Sequence, residues 1–405
     1  MSIHASMRFA VTLGLVVTLA ACASLPRTDF TAKQQSIAQI PGIPNARLWA
    51  DASADDFAKV VHMNELYAVS NQIGAMNFLA LSGGAADGAF GAGVLTGWTD
   101  VGKRPEFVMV SGVSAGALIA PLAFLGPDYD DELVRAWTSG IAESVGEGGI
   151  FSLLFSQESR RLALFELVSS FTNEEMLKRI AEQHRRGKRL VVVTTNLDAQ
   201  RPVVWDLGAI AASGHPKALE LFRNILTASA SIPGAFEPTL IEVEANGQRF
   251  AELHVDGGAT MQVFTIPETM LAGNGIESKV KRKVPANFYI IMNNRLTPEF
   301  QVVQGATVPV LARSLSSLIK THARLTLVAT HEFTRSRNIG FNLAYINDDF
   351  PTEPKSSFAT AYMRSVFKFG YDKAKSGRIW KKEIPFLNGP RQDAGLPDAA
   401  AVAVQ

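Results

Sequence analysis

Cysteine is the scarcest residue in this 405-residue chain, which contains one, Cys22. A single cysteine excludes an intramolecular disulfide, so the fold has to be stabilised by its buried core. Hydrophobic residues make up 47% of the chain, which suits one large globular domain or two modest ones. Disorder is therefore not expected as its main state.

The sequence also lacks an excess of charge of either sign. Lys and Arg together number 39 and Asp and Glu 38, so the formal net charge is +1 with neutral histidines. No block of like charge stands out, and the composition gives no electrostatic footprint for nucleic acid. We expect no nucleic-acid partner.

The N-terminal apolar run, from Phe9 to Ala21, is too short to span a bilayer as a stable helix. It follows Arg8 and has the length of a signal-peptide core. The run ends in Leu19-Ala20-Ala21 directly before Cys22, and this ending resembles the lipobox of bacterial lipoproteins. The resemblance implies cleavage before Cys22 and a diacylglyceryl group on its sulfur. An ordinary signal peptide cut near the same alanines is the alternative.

Ala23 follows the cysteine, whereas lipoproteins retained at the inner membrane typically carry Asp at that position. The resemblance therefore implies a protein anchored through Cys22 in the bacterial cell envelope. The expected location is the outer membrane, facing the periplasm.

Short apolar runs alternate with stretches of helical spacing along the rest of the chain. Residues 77–82 and 107–111 are apolar runs followed by small residues and then a helical stretch, and 189–195 has the same β-rich character. Helical spacing extends over 216–230, 302–335 and 358–382. This alternation predicts an α/β fold with helices on both faces of a sheet.

The segment Gly112-Val113-Ser114-Ala115-Gly116 fits G-x-S-x-G and lies between an apolar run and a helical stretch. A sharp strand-to-helix turn strains the backbone of the nucleophile, and larger side chains at Gly112 and Gly116 would clash there. The Ser114 hydroxyl would then lie at a helix N-terminus, whose partial positive charge favours an oxyanion. Ser114 is the candidate nucleophile, although so short a pattern also arises by chance.

A glycine-rich segment upstream, from Leu81 to Gly93, is typical of a strand-to-helix turn that aims several backbone N–H groups at one point. An oxyanion hole requires that arrangement. A phosphate-binding loop is an alternative, but the segment lacks a Gly-Lys-Ser/Thr ending and only loosely imitates G-x-G-x-x-G. A purely structural role in tight packing is a second alternative.

The segment His254-Val255-Asp256-Gly257-Gly258 places a carboxylate at the end of a short strand. Gly257 and Gly258 permit a tight turn that would hold Asp256 at the edge of the sheet, although Asp-Gly often marks only a turn. His254 precedes Asp256 by two residues, so both side chains share a strand face. His254 could orient the carboxylate or be a core histidine with satisfied hydrogen bonds.

These three motifs, in this order, resemble the patatin-like phospholipase family, whose signature is a glycine-rich oxyanion loop, then G-x-S-x-G, then D-G-[GA]. The stretch from Thr227 to Phe236, followed by Pro238, is also similar to the family's segment between nucleophile and aspartate. The likeness extends over residues 77–260 of the 405. It implies a three-layer α/β/α hydrolase fold with a mainly parallel central sheet.

Carried over residue by residue, the resemblance makes Ser114 the nucleophile and Asp256 the general base of a Ser-Asp dyad. It assigns the oxyanion donors to the loop Gly83, Gly84 and Ala85. The implied reaction is hydrolysis of lipid acyl esters through an acyl-enzyme, with no metal or organic cofactor. The implied partner is a membrane lipid or a lipid-derived ester.

Two residues of the loop depart from the family pattern. Members usually carry a third glycine where Ala85 stands and Arg or Lys where Asp87 stands. Ala85 still has an N–H to donate if its backbone angles are permissible. A carboxylate at Asp87 would disfavour anionic substrates, which bears on phospholipid preference more than on hydrolysis.

Two rival interpretations stay open at this stage. A Ser-His-Asp triad in the α/β-hydrolase order would need a histidine after the acid, which leaves His322 and His331. Both lie in a long helical stretch and are expected to be structural or surface residues. A catalytically idle envelope lipoprotein, acting as a scaffold, is the alternative from a different functional class.

The chain is accordingly divided into four segments. They are a lipoprotein signal peptide (1–21), a tether and lead-in (22–70), a patatin-like hydrolase domain (71–385) and a disordered tail (386–405).

Overall fold

The computed structural model of the protein describes residues 27–146, 157–273, 283–351 and 358–388. Cys22 and the expected signal peptide lie outside the described residues, so the anchoring hypothesis stays a prediction. Within the described ranges, no helix is long and apolar enough to cross a membrane.

A nine-stranded sheet forms the middle of the described part of the chain. Its strands are β1 Arg47–Trp49, β2 Met76–Leu81, β3 Met109–Val113, β4 Arg189–Asn196, β5 Arg201–Asp206, β6 Thr239–Ala245, β7 Gln248–Asp256, β8 Ala286–Met292 and β9 Gly340–Tyr345. The central block runs β4-β3-β2-β8-β9, and every pairing in it is parallel. Antiparallel strands complete the sheet: β5 pairs with β4, β1 pairs with β5, and the β6-β7 hairpin is joined to the end of β4 through β7.

Helices cover both faces of this sheet. They are α1 Ala32–Ile37, α2 Ala54–Val60, α3 Met63–Ile73, α4 Gly88–Asp100, α5 Ala115–Leu125, α6 Asp130–Thr138, α7 Glu143–Gly146, α8 Gln157–Phe171, α9 Glu174–Arg185, α10 Leu207–Ala212, α11 Ala218–Ala230, α12 Glu268–Leu271, α13 Thr307–Ser336, α14 Thr360–Lys375 and α15 Pro385–Asn388.

Strand β4 shows why the sheet is buried on both sides. Its sequence is rich in β-branched residues and every residue in it is buried, as expected for a strand between two helical layers. Leu190 and Val192 pack in one apolar cluster, whereas Val191 and Val193 pack in another on the opposite face. The prediction of a three-layer α/β/α fold with a mainly parallel central sheet is confirmed.

The lead-in segment contributes to this core. Strand β1 pairs with β5, and Phe57 of α2 and Leu66 of α3 are buried under the sheet. Packing of the chain against the sheet therefore begins well before residue 71.

The register of the strands brings the ends of β3 and β7 together. Along β4, Val193 pairs with Val113 of β3, and the next residue, Thr194, pairs with Asp256 of β7. Because Ser114 directly follows Val113, this register places Asp256 beside Ser114. Two motifs far apart in the sequence thus meet at the carboxyl edge of the parallel strands.

Candidate active site

Ser114 lies in the sharp turn between β3 and α5. Its φ of 54° is in the left-handed region, which a non-glycine residue adopts only when its surroundings hold it there. A Cβ at Gly112 would lie 2.4 Å from the Gly116 carbonyl oxygen, and one at Gly116 would lie 2.3 Å from that of Leu81. Both flanking glycines are therefore needed for steric reasons, because larger side chains would collide with backbone atoms.

The Ser114 hydroxyl donates a hydrogen bond of 2.6 Å to Oδ2 of Asp256. The other carboxylate oxygen, Oδ1, accepts the Gly258 N–H at 2.7 Å. Gly257 passes so close to β4 that a Cβ on it would lie 2.4 Å from the Val193 carbonyl oxygen. The D-G-G turn thus presents one oxygen of Asp256 to Ser114 and fixes the other.

Backbone contacts hold Asp256 in place from both sides. Its N–H donates to the Ser231 carbonyl at 2.9 Å, and the Thr195 hydroxyl donates to its carbonyl at 2.9 Å. Burial raises the pKa of Asp256 to about 7, although hydrogen bonds from Ser114 and Gly258 act in the opposite direction. A carboxylate with a pKa near neutrality can both accept and return a proton at physiological pH.

Ser229 of α11 fixes the backbone of the nucleophile. The Ser114 N–H donates to Ser229 Oγ at 3.0 Å, and the Ser229 hydroxyl donates to the Val193 carbonyl at 2.6 Å. No motif in the sequence marks Ser229. It lies in the stretch from Thr227 to Phe236 that resembles the family, but its residue type does not distinguish it from Ser231 nearby.

The glycine-rich loop runs beside the nucleophile. A Cβ on Gly83 would lie 3.0 Å from the Ser114 Cβ, which shows how closely the two segments approach. The Gly83 N–H already donates to the Gln262 carbonyl at 3.0 Å. In the described part of the chain, the N–H groups of Gly84 and Ala85 donate to no protein acceptor. These two donors, rather than that of Gly83, are free for a ligand.

Asn293, directly after β8, holds this loop from the other side, and no sequence motif marks it. Its N–H donates to Ser82 Oγ at 2.8 Å, and its Nδ2 donates to the Ser82 carbonyl at 2.7 Å. Its Oδ1 accepts the Gly91 N–H at 3.0 Å. Gly84 packs so tightly on Asn293 that an added Cβ would lie 2.1 Å from the Asn293 carbonyl oxygen.

None of the three candidate histidines hydrogen-bonds to Ser114 or Asp256 in the described structure. His254 is buried between the Thr194 hydroxyl, 2.9 Å from Nδ1, and Glu252 Oε2, 3.2 Å from Nε2. It is therefore a core histidine with satisfied hydrogen bonds, and burial lowers its pKa. Nε2 of His331 in α13 is 3.4 Å from Glu383 Oε2, and His322 lies about two and a half turns earlier on the same helix.

A largely apolar cavity opens at Ser114. Ala85 of the loop lies on its wall next to Ser114. Among the described residues that line it, Ser114 is the one with a hydroxyl group. The larger apolar side chains of the lining include Trp137, Leu164, Leu167, Phe171, Ile232 and Phe236.

A comparison with protein families agrees with this geometry. Residues 79–267 match the family model described as patatin-like phospholipase. The match identifies a patatin-like phospholipase domain in this part of the chain. The matched patatin-like domain is a little under half of the chain and contains the glycine-rich loop, Ser114 and Asp256. The family is one of lipid hydrolases.

VipD and ExoU are two of the solved structures to which the chain is similar, and no curated protein matches it. VipD from Legionella pneumophila is 15% identical over 75% of this chain and 67% of that one, with a TM-score of 0.33. The type III effector protein ExoU is 14% identical over 76% of this chain and 54% of that one, with a TM-score of 0.29. TM-scores this low support no inference about activity.

Asp87, at the start of α4 in the patatin-like domain, is buried. The Tyr362 hydroxyl donates to its Oδ1 at 2.6 Å, and burial together with the Asp87 charge raises the pKa of that phenol. Tyr362 belongs to α14, which lies outside the matched domain. Within the described residues, no group of three or more His, Cys, Asp or Glu side chains could hold a metal ion.

Proposed function

We propose that the protein hydrolyses acyl esters of lipids, with Ser114 as nucleophile and Asp256 as general base. The observation that carries the proposal is the 2.6 Å hydrogen bond from Ser114 Oγ to Asp256, at the opening of an apolar cavity. Membership of residues 79–267 in a phospholipase family supports the choice of a lipid ester as substrate.

The reaction would proceed through an acyl-enzyme. Asp256 accepts the Ser114 proton as Oγ attacks the ester carbonyl, and the proton then passes to the leaving alcohol. In the second half, Asp256 accepts a proton from water as the water attacks the acyl group. The bond between Ser114 Oγ and the acyl carbon then breaks, the fatty acid leaves, and Asp256 returns the proton to Ser114 Oγ. The pKa of about 7 at Asp256 suits both directions of transfer.

The N–H groups of Gly84 and Ala85 are the oxyanion donors in this proposal. Neither donates to an acceptor in the described protein, and Ala85 lies on the cavity wall with Ser114. Fixed donors in a water-excluded site stabilise the tetrahedral oxyanion without reorganisation. The N-terminus of α5 directly after Ser114 adds a favourable dipole.

The cavity favours an acyl chain over a polar group. Its lining offers apolar contact throughout, and each methylene buried there contributes about 0.8 kcal/mol. We therefore expect kcat/KM to rise with acyl chain length across a series of soluble p-nitrophenyl esters.

The direct test is turnover of such an ester by purified protein. Ser114→Ala should abolish turnover, and Asp256→Asn should lower it by at least about a hundredfold, while both variants stay folded. Ser376→Ala, which removes an exposed hydroxyl outside the site, is the matched control and should behave as wild type. Undiminished turnover in folded Ser114→Ala would contradict the proposal.

Two further results would favour the rival interpretations. A collapse of activity in His322→Ala or His331→Ala would support a Ser-His-Asp triad. A wild-type protein that neither turns over esters nor reacts with a fluorophosphonate probe would support an idle scaffold.

A further inference from the structure

Asp87 is acidic where the family pattern has Arg or Lys, and the structure shows which group its carboxylate contacts. The residue is 5% exposed, and its Oδ1 accepts a hydrogen bond from the Tyr362 hydroxyl at 2.6 Å. A buried carboxylate needs such a donor, because an unpaired charge away from water is costly. Helix α14, outside the matched patatin-like domain, supplies it.

The backbone of Asp87 is tied to the oxyanion loop. Its N–H donates to the Gly84 carbonyl at 2.9 Å across a short 3-10 turn that spans Ala85–Asp87. In a trans peptide, the C=O and N–H groups of one plane point in opposite directions. The Gly84 carbonyl shares its plane with the Ala85 N–H, so a carbonyl directed at Asp87 turns the Ala85 N–H away from Asp87.

Ala85 needs support to keep this orientation. Its φ of 50° is in the left-handed region, which costs an alanine free energy that a glycine would not lose. A strained residue keeps such a conformation only when surrounding contacts fix it. A carboxylate anchored at the far end of the same turn is a contact of that kind.

We infer that Tyr362 and Asp87 are positioning residues, whose hydrogen bond holds the turn that directs the Ala85 N–H at the oxyanion. The inference rests on the proposed function of the site. It also assigns Asp87 to the loop and not to recognition of a lipid head group. Substrate charge preference should then be independent of the Asp87 charge.

The test compares two tyrosines on the same helix. Tyr362→Phe removes the hydrogen bond to Asp87 and should lower kcat for a soluble ester by between about tenfold and a hundredfold, with KM changed by less than about twofold. Tyr371→Phe is the matched control, because Tyr371 donates to Asp100 at the other end of α4, far from the loop. Its kcat should equal that of wild type.

The conservative exchange at the other partner separates positioning from charge. Asp87→Asn keeps an oxygen acceptor for Tyr362 and should retain most of the wild-type kcat. In Asp87→Ala, kcat should be as low as in Tyr362→Phe. Asp87→Asn should also leave the rate ratio between phosphatidylglycerol and phosphatidylcholine vesicles unchanged. A shift of that ratio toward phosphatidylglycerol would overturn the inference in favour of head-group recognition.

The remaining outcomes are equally distinct. If Tyr362→Phe has the same kcat as Tyr371→Phe, the positioning role is wrong while the proposed function stands. If Tyr362→Phe loses activity only in proportion to its folded fraction, measured by circular dichroism, the contact is structural and the inference fails. An inactive wild type would instead refute the proposed function.

Discussion

Asp256, the proposed general base, also bears on the stability of the fold. The folded protein holds the Asp256 proton up to about pH 7, whereas an unperturbed Asp releases it at its ordinary pKa of 3.8. Stability from the protonated, buried carboxyl is therefore present at low pH and is lost as the pH rises through 7. Above that pH, the buried charge destabilises the fold.

Asp256→Asn should for this reason stabilise the protein while it removes activity. An amide carries no charge to desolvate, so the variant should melt about 2–4 °C above wild type at about pH 8. At about pH 5 the difference should shrink, because the wild-type carboxyl is then protonated. Calorimetry at both pH values checks this, and a variant that melts lower at the higher pH would contradict it.

Ala85 allows a second test at a single residue. Ala85→Gly should leave stability unchanged or raise it by up to about 1 kcal/mol, because relief of the left-handed strain offsets the added chain entropy. Ala86→Gly, at the next residue of the same turn, has no positive φ to relieve and should cost about 0.5–1 kcal/mol. Urea denaturation compares the two, and equal losses would argue against a strained Ala85.

The sequence was most informative where function depends on local backbone geometry. The roles of Gly112 and Gly116 could be predicted because only very small residues fit beside a strained nucleophile in a strand-to-helix turn. The roles of Asn293 and Tyr362 could not be predicted. Each contacts the glycine-rich loop or the turn after it, more than two hundred residues away in the sequence. The alternation of side chains along the strand did not decide whether His254 orients Asp256 or is a core histidine. The structure shows that its hydrogen bonds go to Thr194 and Glu252.

At the scale of elements, α4 and α14 touch backbone to backbone. A Cβ on Gly93 of α4 would lie 2.1 Å from the Phe367 carbonyl oxygen, and one on Gly370 of α14 would lie 2.4 Å from that of Phe90. Small residues permit this approach, and the approach brings Tyr362 within reach of Asp87. The two helices therefore form one unit that supports the loop.

Gly93→Ala should force these helices apart. The clash is with backbone atoms that cannot rotate away, so we expect a loss of at least about 2 kcal/mol in the free energy of unfolding. Gly305→Ala, where no atom lies within 4 Å of the added methyl group, is the matched control and should be close to neutral. Similar denaturation midpoints for the two variants would show that the helices are not held at this distance.

Helical spacing in the sequence predicts that a helix is present more reliably than it predicts where the helix ends. The spacing predicts a helix over 358–382, but α14 ends at Lys375 because the chain turns at Gly377, which has a φ of 71°. The chain then forms a bridge from Lys381 to Leu343 of β9. Strand β1 has three residues, too few for a period to be recognised.

At the scale of the whole molecule, we propose that the protein is anchored through Cys22 at the outer membrane, facing the periplasm. An anchor would place the hydrolase within reach of a lipid surface and raise its local concentration there. Two or more acyl chains are needed for stable anchoring, because each buried methylene contributes only about 0.8 kcal/mol.

Cys22→Ser should accordingly release the protein into the soluble periplasmic fraction or leave an uncleaved precursor. Mass spectrometry of the wild-type N-terminus should show an acylated cysteine. A wild-type protein that is soluble after osmotic shock, or whose unmodified N-terminus begins elsewhere, would overturn the anchoring hypothesis without affecting the catalytic one.

The central claim is that Ser114 is a nucleophile activated by Asp256, and covalent labelling tests it most directly. After reaction with a fluorophosphonate, peptide mapping should find one adduct, on Ser114. The labelling rate should rise with pH through a midpoint of about 7, as Asp256 ionises, and should be largely lost in Asp256→Asn. An adduct on another residue, or a rate in Asp256→Asn equal to that of wild type, would contradict the dyad.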